Sequence, residues 1–282
     1  MLTSGSKHYP SSRNVQLSFY WYFSRQRIHG KVLSRTRHPF IAHNNFQEPH
    51  NLGNNKTNTQ VLSIILANAF FIQLSGFINS AFATWAPVLY AHYVDYMCKL
   101  QAWNPLLLRL FVNSIFAALT VNFGPWTVCF GHRDGANLPY GWCAITAFGR
   151  FNWKKGGHLV LWDLKLILEF PPGVTIIIPS SILRHGNTLV AESETRYSFA
   201  QYTAGGLFRW IDHDYKLDED YFASLKTPEQ QLKEKVSRES RWKRGVKMFS
   251  TLEELRTLYR SAPFAEWATC DLDELSELSE LE

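Results

Sequence analysis

Residues 158–202 read HLVLWDLKLILEFPPGVTIIIPSSILRHGNTLVAESETRYSFAQY, and this stretch decides the fold class. His158 to Phe170, Val174 to Pro179 and Arg196 to Tyr202 are dense in β-branched, aromatic and aliphatic residues and read as strands. Pro171-Pro172-Gly173 separates the first two with a turn signal: proline fixes φ and lacks a donor, and glycine takes the tight conformation. Outward toward the N-terminus, Phe111 to Phe123 and Gly141 to Phe148 have the same texture. Gly156-Gly157 and Gly205-Gly206 bound further strands. There is no alternation of strands with helices, no GxGxxG and no Walker A motif, which excludes a doubly wound nucleotide-binding sheet. The expectation is an α+β protein, mainly β with flanking helices, built on an antiparallel sandwich or jelly roll.

The flanks read as helical. Val61 to Tyr96 is long and mostly apolar, but Ser63, Asn68, Gln73, Ser75, Gly76, Asn79 and Ser80 interrupt it. Those groups are costly in lipid, so the stretch is read as buried helices and no membrane association is expected. Pro87 starts or kinks the second helix, and Trp103 to Leu108 is a connector or a short helix. Thr227-Pro228-Glu229-Gln230 supplies an N-cap, a proline at the first helical position and a capping-box glutamine. Ser250 with Glu253 predicts another helix start, with Leu252, Leu255 and Leu258 on one face. The basic run Arg238 to Lys247 is either a solvated helix face or a phosphate contact.

The 282 residues, 46% hydrophobic and 19% charged, suffice for a folded core. The divisions expected are 1–60, a basic and mobile arm; 61–215, helices plus the β domain; 216–262, C-terminal helices packing on or beside it; and 263–282, an acidic tail. The arm holds eight Lys or Arg against Glu48 alone. It is either a phosphate-seeking segment or a plain solvated extension. Four cysteines with no CxxC pair argue against a zinc module or a disulfide framework and favour an intracellular setting.

The chemistry concentrates at His132-Arg133-Asp134. Alternate residues of an extended chain face one side, so this imidazole and carboxylate can share an ion. His185 follows the next strands, and a jelly roll brings distant strand ends together. Two histidines and one carboxylate on one face of a metal leave positions open, the donor set of non-haem Fe(II) oxygenases. Eleven residues beyond His185, Arg196 and Ser198 share a strand face. Together they offer a guanidinium fork and a hydroxyl to the carboxylate of a co-substrate such as 2-oxoglutarate. His158 is the rival second histidine, but choosing it leaves His185 and Arg196 unexplained.

At these residues the chain resembles the 2-oxoglutarate- and Fe(II)-dependent dioxygenases, within them the TET/JBP branch, and especially its fungal, transposon-associated members. The similarity is carried by VNFGPWTVCFGHRDGANLPYGWCAITAFGRF (121–151), GGHLVLWDLKLILEFPPGVTIIIPSSILRHGN (156–187) and ETRYSFAQYTAGGLFRW (194–210). The resemblance implies a double-stranded β-helix in which His132, Asp134 and His185 ligate Fe(II) and act in catalysis. Arg196, helped by Ser198, would bind 2-oxoglutarate, and O2 would be the oxidant. The HxDxxN pattern, here His132 to Asn137, implies that Asn137 contacts a target base; its other reading is turn chemistry. Tyr140 is expected beside that base, where an aromatic can stack. The implied substrate is 5-methylcytosine in DNA, flipped out of the duplex to reach the iron; a nuclear location follows from that. A protein side chain or small molecule as substrate, and a non-catalytic DNA-binding or interaction module, are the other readings. A cysteine-rich region like that of animal TET enzymes is absent from the sequence.

Overall fold

The computed structural model describes residues 15–22, 48–51, 56–123 and 125–261. The acidic tail and most of the basic arm lie outside the described residues. Among the described ones, nine strands form two sheets and seven helices flank them.

Three helices come first. α1 (Lys56–Ala67) and α2 (Ala69–Trp85) break at Asn68, whose side chain caps α2 by accepting from the Phe70 N–H. α3 (Pro87–Trp103) starts at Pro87, where the missing N–H costs nothing. Ser75, Ile78 and Phe82 on α2, and Leu89, Tyr93, Met97 and Leu100 on α3, form stripes at helical spacing and are buried. The polar residues that interrupt this apolar sequence are tie points. Ser75 accepts from Gln201 Nε2 at 2.9 Å, and Asn79 bonds both the Tyr90 hydroxyl and the Ile115 N–H. No single described helix is long and apolar enough to cross a membrane. α1 and α2 together pass by length and composition, with a 69° bend between them.

The larger sheet has six strands, in the order β2 (His50–Asn51), β1 (Val15–Tyr22), β3 (Ala118–Phe123), β9 (Thr195–Tyr202), β4 (Cys143–Arg150) and β7 (Thr175–Ile178). The smaller has β6 (Leu166–Leu168), β5 (Leu159–Leu161) and β8 (His185–Asn187). All pairings between strands are antiparallel. The larger sheet is covered on both faces. Phe199, on one face of β9, joins Leu62 and Ile65 of α1, while Ala147 and Ile178 pack with Leu159 and Leu161 of the smaller sheet. Two antiparallel sheets closing on each other, with helices outside, make a double-stranded β-helix in an α+β chain whose helical residues outnumber its extended ones.

Four local readings change. His158 to Phe170 is a hairpin, not one strand: β5 turns through Trp162–Leu164 and Lys165, which sits at φ 54, into β6. The polar pair Asp163 and Lys165 marks that turn. His185 does not end the strand that contains Ile178; it opens β8, after a loop. Only the second half of Phe111 to Phe123 is strand. Val15–Tyr22, within the expected arm, pairs with β3 from Val15↔Phe123 to Tyr20↔Ala118. Its sequence VQLSFYWY is rich in β-formers, a local signal hidden by the basic composition around it.

The last helices are α4 (Gly205–Asp212), α5 (Asp218–Ser224), α6 (Pro228–Val246) and α7 (Leu252–Ser261). The capping box at Thr227 and Gln230 forms in full. The box that starts α7 lies one residue later than expected, between Thr251 and Glu254, because these two exchange reciprocal bonds. α6 seats Gly245 against the Tyr140 ring, and α7 places the Tyr259 hydroxyl on the Thr84 carbonyl.

Candidate metal centre

His132, Asp134 and His185 converge, and their donor atoms all lie within 4.8 Å of one another. Two chain segments carry them. The stretch Phe130–Asn137 runs beside β8, and His132 and His185 exchange both backbone hydrogen bonds, at 3.0 and 2.9 Å. This antiparallel bridge brings the rings to 4.4 Å between centroids.

Each imidazole is oriented by its other nitrogen. Nδ1 of His132 lies 2.7 Å from the Phe130 carbonyl, and Nδ1 of His185 lies 2.9 Å from that of Leu183. A carbonyl only accepts, so each Nδ1 carries a proton and each Nε2 is the nitrogen turned to the cluster, able to ligate once it gives up any proton. The two Nε2 atoms face one carboxylate, at 3.4 Å from Asp134 Oδ1 and 3.7 Å from Oδ2. The hydrogen bond to Asp134 raises the His132 pKa against the cost of burial. Burial lowers that of His185. At Asp134 burial pushes the pKa up, but the His132 bond and the nearby imidazoles outweigh it and hold the carboxyl below its ordinary value. His185 is buried and His132 is exposed, so the cluster opens to solvent on the His132 side. Two neutral imidazoles and one carboxylate, open on one side, suit a divalent metal that keeps free positions. This is the donor set of an Fe(II) site that takes 2-oxoglutarate and O2.

Arg196 lies on β9, in the middle of the larger sheet, and is 2% exposed. Its Nη1 donates to the Thr127 carbonyl at 3.2 Å, its Nε has no hydrogen-bond partner, and no described carboxylate pairs with it. A buried guanidinium in this state is incomplete: its desolvation is offset only when an anion arrives. A carboxylate-bearing co-substrate fits that need. Ser198, on the same face, accepts from Asn122 Nδ2 at 2.9 Å. Cys129 lies between the two halves of the site, and its thiol pKa is raised by burial, with Arg196 and Asp134 acting on it in opposite directions.

The two residues expected to contact substrate, Asn137 and Tyr140, are both buried. Asn137 is buried and donates to Ser180 Oγ at 3.1 Å, while its backbone closes a turn on Asp134. Tyr140 is swung away by the next turn, Leu138 to Gly141. It is buried against α6, with its hydroxyl 3.4 Å from His92 Nε2. His158 does not join the cluster. Arg133, between two of the donors, is engaged by Asp163. Among the residues not singled out from sequence, Thr127 holds Arg196 and Ser180 supports Asp134, its carbonyl accepting the Asp134 N–H at 3.0 Å. Thr127 had no sequence signal, since its backbone carbonyl makes the contact. Asp163, an acid inside an apolar run, had one.

No protein-family model matches the chain, and no curated protein does. Among solved structures, NgTET1 in complex with 5mC DNA aligns at a TM-score of 0.43 and 17% identity, over 56% of this chain and 57% of that one. A viral collagen prolyl hydroxylase from Paramecium Bursaria Chlorella virus-1, in its 2OG complex, aligns at 0.26 and 17%, over 32% and 59%. A 2OG-Fe(II) oxygenase family oxidoreductase from Burkholderia pseudomallei aligns at 0.25 and 24%, over 31% and 42%. The chain thus spans less than two thirds of the length of each.

Proposed function

We propose that this protein is an Fe(II)- and 2-oxoglutarate-dependent dioxygenase that hydroxylates 5-methylcytosine in DNA. The observation that carries the oxygenase half is the pairing of two sites: two Nε2-presenting histidines around one carboxylate, and a buried, anion-less arginine on the facing sheet. The DNA half rests on the resemblance of residues 121–151, 156–187 and 194–210 to the TET/JBP branch, and a nuclear location belongs to the same proposal.

The metal, when bound with its co-substrate and O2, supplies the power to oxidise an unactivated C–H bond. The chain supplies the rest. His132, Asp134 and His185 fix the metal on one side and leave the other open. Arg196 holds the distal carboxylate of 2-oxoglutarate through its fork and Ser198 adds a hydroxyl. The apolar interior formed by Leu159, Leu161 and Ile178 keeps water from the deep end of the site. The exposed side at His132 receives the substrate. A base in a duplex reaches it only when flipped.

The test is nucleoside mass spectrometry of methylated DNA incubated with the full chain, Fe(II), 2-oxoglutarate and O2. Oxidised methylcytosine with the wild type and none with His185→Ala is the expected result. Succinate formed on other substrates, with DNA untouched, would shift the substrate to a protein side chain or small molecule. A folded protein that forms no succinate with any of them sinks the oxygenase reading.

A further inference from the structure

We propose that Asp163 is a positioning residue for the metal centre: its carboxylate ties the segment carrying His132 and Asp134 to the segment carrying His185. The inference rests on the iron-site reading above. Asp163 sits at the tip of the β5–β6 hairpin. Its two oxygens accept from Arg133 Nη2 at 2.9 and 3.1 Å, and Oδ2 also accepts the Arg184 backbone N–H at 2.6 Å. Arg133 stands between His132 and Asp134, and Arg184 directly precedes His185. One carboxylate therefore grips both arms, each at a residue adjacent to a metal donor.

The surrounding contacts serve the same geometry. Arg133 Nε reaches across to the Ile182 carbonyl at 2.8 Å. The Trp162 N–H donates to the Arg184 carbonyl, and the Arg184 guanidinium lies over the Trp162 ring, 5.4 Å from its centroid. The hairpin turn has its own closure, the Lys165 N–H to the Trp162 carbonyl, so the carboxylate is not needed to make the turn. The reciprocal His132–His185 bonds join the two arms at the donors. Asp163 joins them again one residue away, which resists sliding of one arm past the other.

An exposed ion pair adds little to stability, so the role of this one lies in donor spacing. Groups that orient metal ligands from the next layer are worth about 10–100-fold in metal affinity. Co(II), a spectroscopic stand-in for Fe(II), is titrated into the full chain, reading both affinity and the visible ligand-field band, with thermal unfolding in parallel. Asp163→Ala is expected to weaken Co(II) binding about tenfold or more and alter the band, with only a small change in Tm. Asp163→Asn, which still accepts from the Arg184 N–H, is expected to recover part of the affinity. Unchanged affinity and band in Asp163→Ala overturn the inference. If that variant does not fold, Arg133→Met takes its place, with the same expected loss and the same overturning result. A folded wild type that takes up no Co(II) overturns the iron-site reading, and this inference with it. Wild-type binding with unaffected variants overturns this inference alone.

Discussion

A guanidinium removed from water and given one carbonyl is costly, and at Arg196 that cost is the signature of a ligand. The requirement is for arginine, because a planar fork grips a carboxylate through two parallel bonds while an ammonium is a point charge. Arg196→Lys is therefore expected to raise the KM for 2-oxoglutarate by about tenfold or more, the loss of one charge-assisted bond, with kcat changed less. Succinate formation across a 2-oxoglutarate titration checks this; an unchanged KM would remove Arg196 from the co-substrate site. At this scale the sequence was most legible where a residue type carries its own chemistry. His132, Asp134 and His185 cluster as their spacing and the strand geometry implied. The surroundings of Asn137 and Tyr140 were not legible, because the chain turns twice between Asp134 and Gly141, and a pattern of letters does not say to which side a turn delivers a side chain.

Among the elements, β3, β4, β7 and β9 of the larger sheet were readable from their β-branched and aromatic runs, and α6 from its cap. β8 was not, since His-Gly-Asn carries no strand propensity. It is extended because it is held between β5 and the His132 segment, so tertiary pairing overrode local preference. α6 illustrates the opposite case, a helix whose start is written in Thr227-Pro228 but whose docking depends on one missing side chain. A Cβ on Gly245 would lie 2.1 Å from the Tyr140 ring. Gly245→Ala gains helix propensity but overpacks this contact, and is expected to destabilise the protein by about 1–3 kcal/mol. Urea denaturation measures it. A stabilised variant would show that α6 is not seated on Tyr140.

On the C-terminal side of the molecule Asp218 ties the start of α5 to the end of α4: it accepts from His213 Nδ1 at 2.9 Å and pairs with Arg209 at 3.0 Å. Burial works to raise the Asp218 carboxyl, but the bond from His213 and the charge of Arg209 outweigh it, and the pKa falls below 3.8. A depressed carboxylate contributes stability that is present above its unfolded pKa and is lost as pH falls through the folded one. Asp218→Asn is expected to lower stability by about 1 kcal/mol near neutrality, and the difference from wild type should close as pH drops below 3.8. Thermal melts across pH test this; a gap that persists in acid would assign the loss to packing instead.

The two halves of the site are built into parts of the fold with unequal staying power. Arg196 is on β9, laddered to β4 from Thr195 to Gln201 and to β3 from Ser198 to Tyr202, with both faces of the strand covered. The His132–Asp134–His185 donors sit on a three-residue strand and on a segment held to it by the His132–His185 bridge and by the Asp163 carboxylate, with no continuous ladder. Local openings begin where the fewest bonds must break. The His132 segment is therefore expected to open before the strand that carries Arg196.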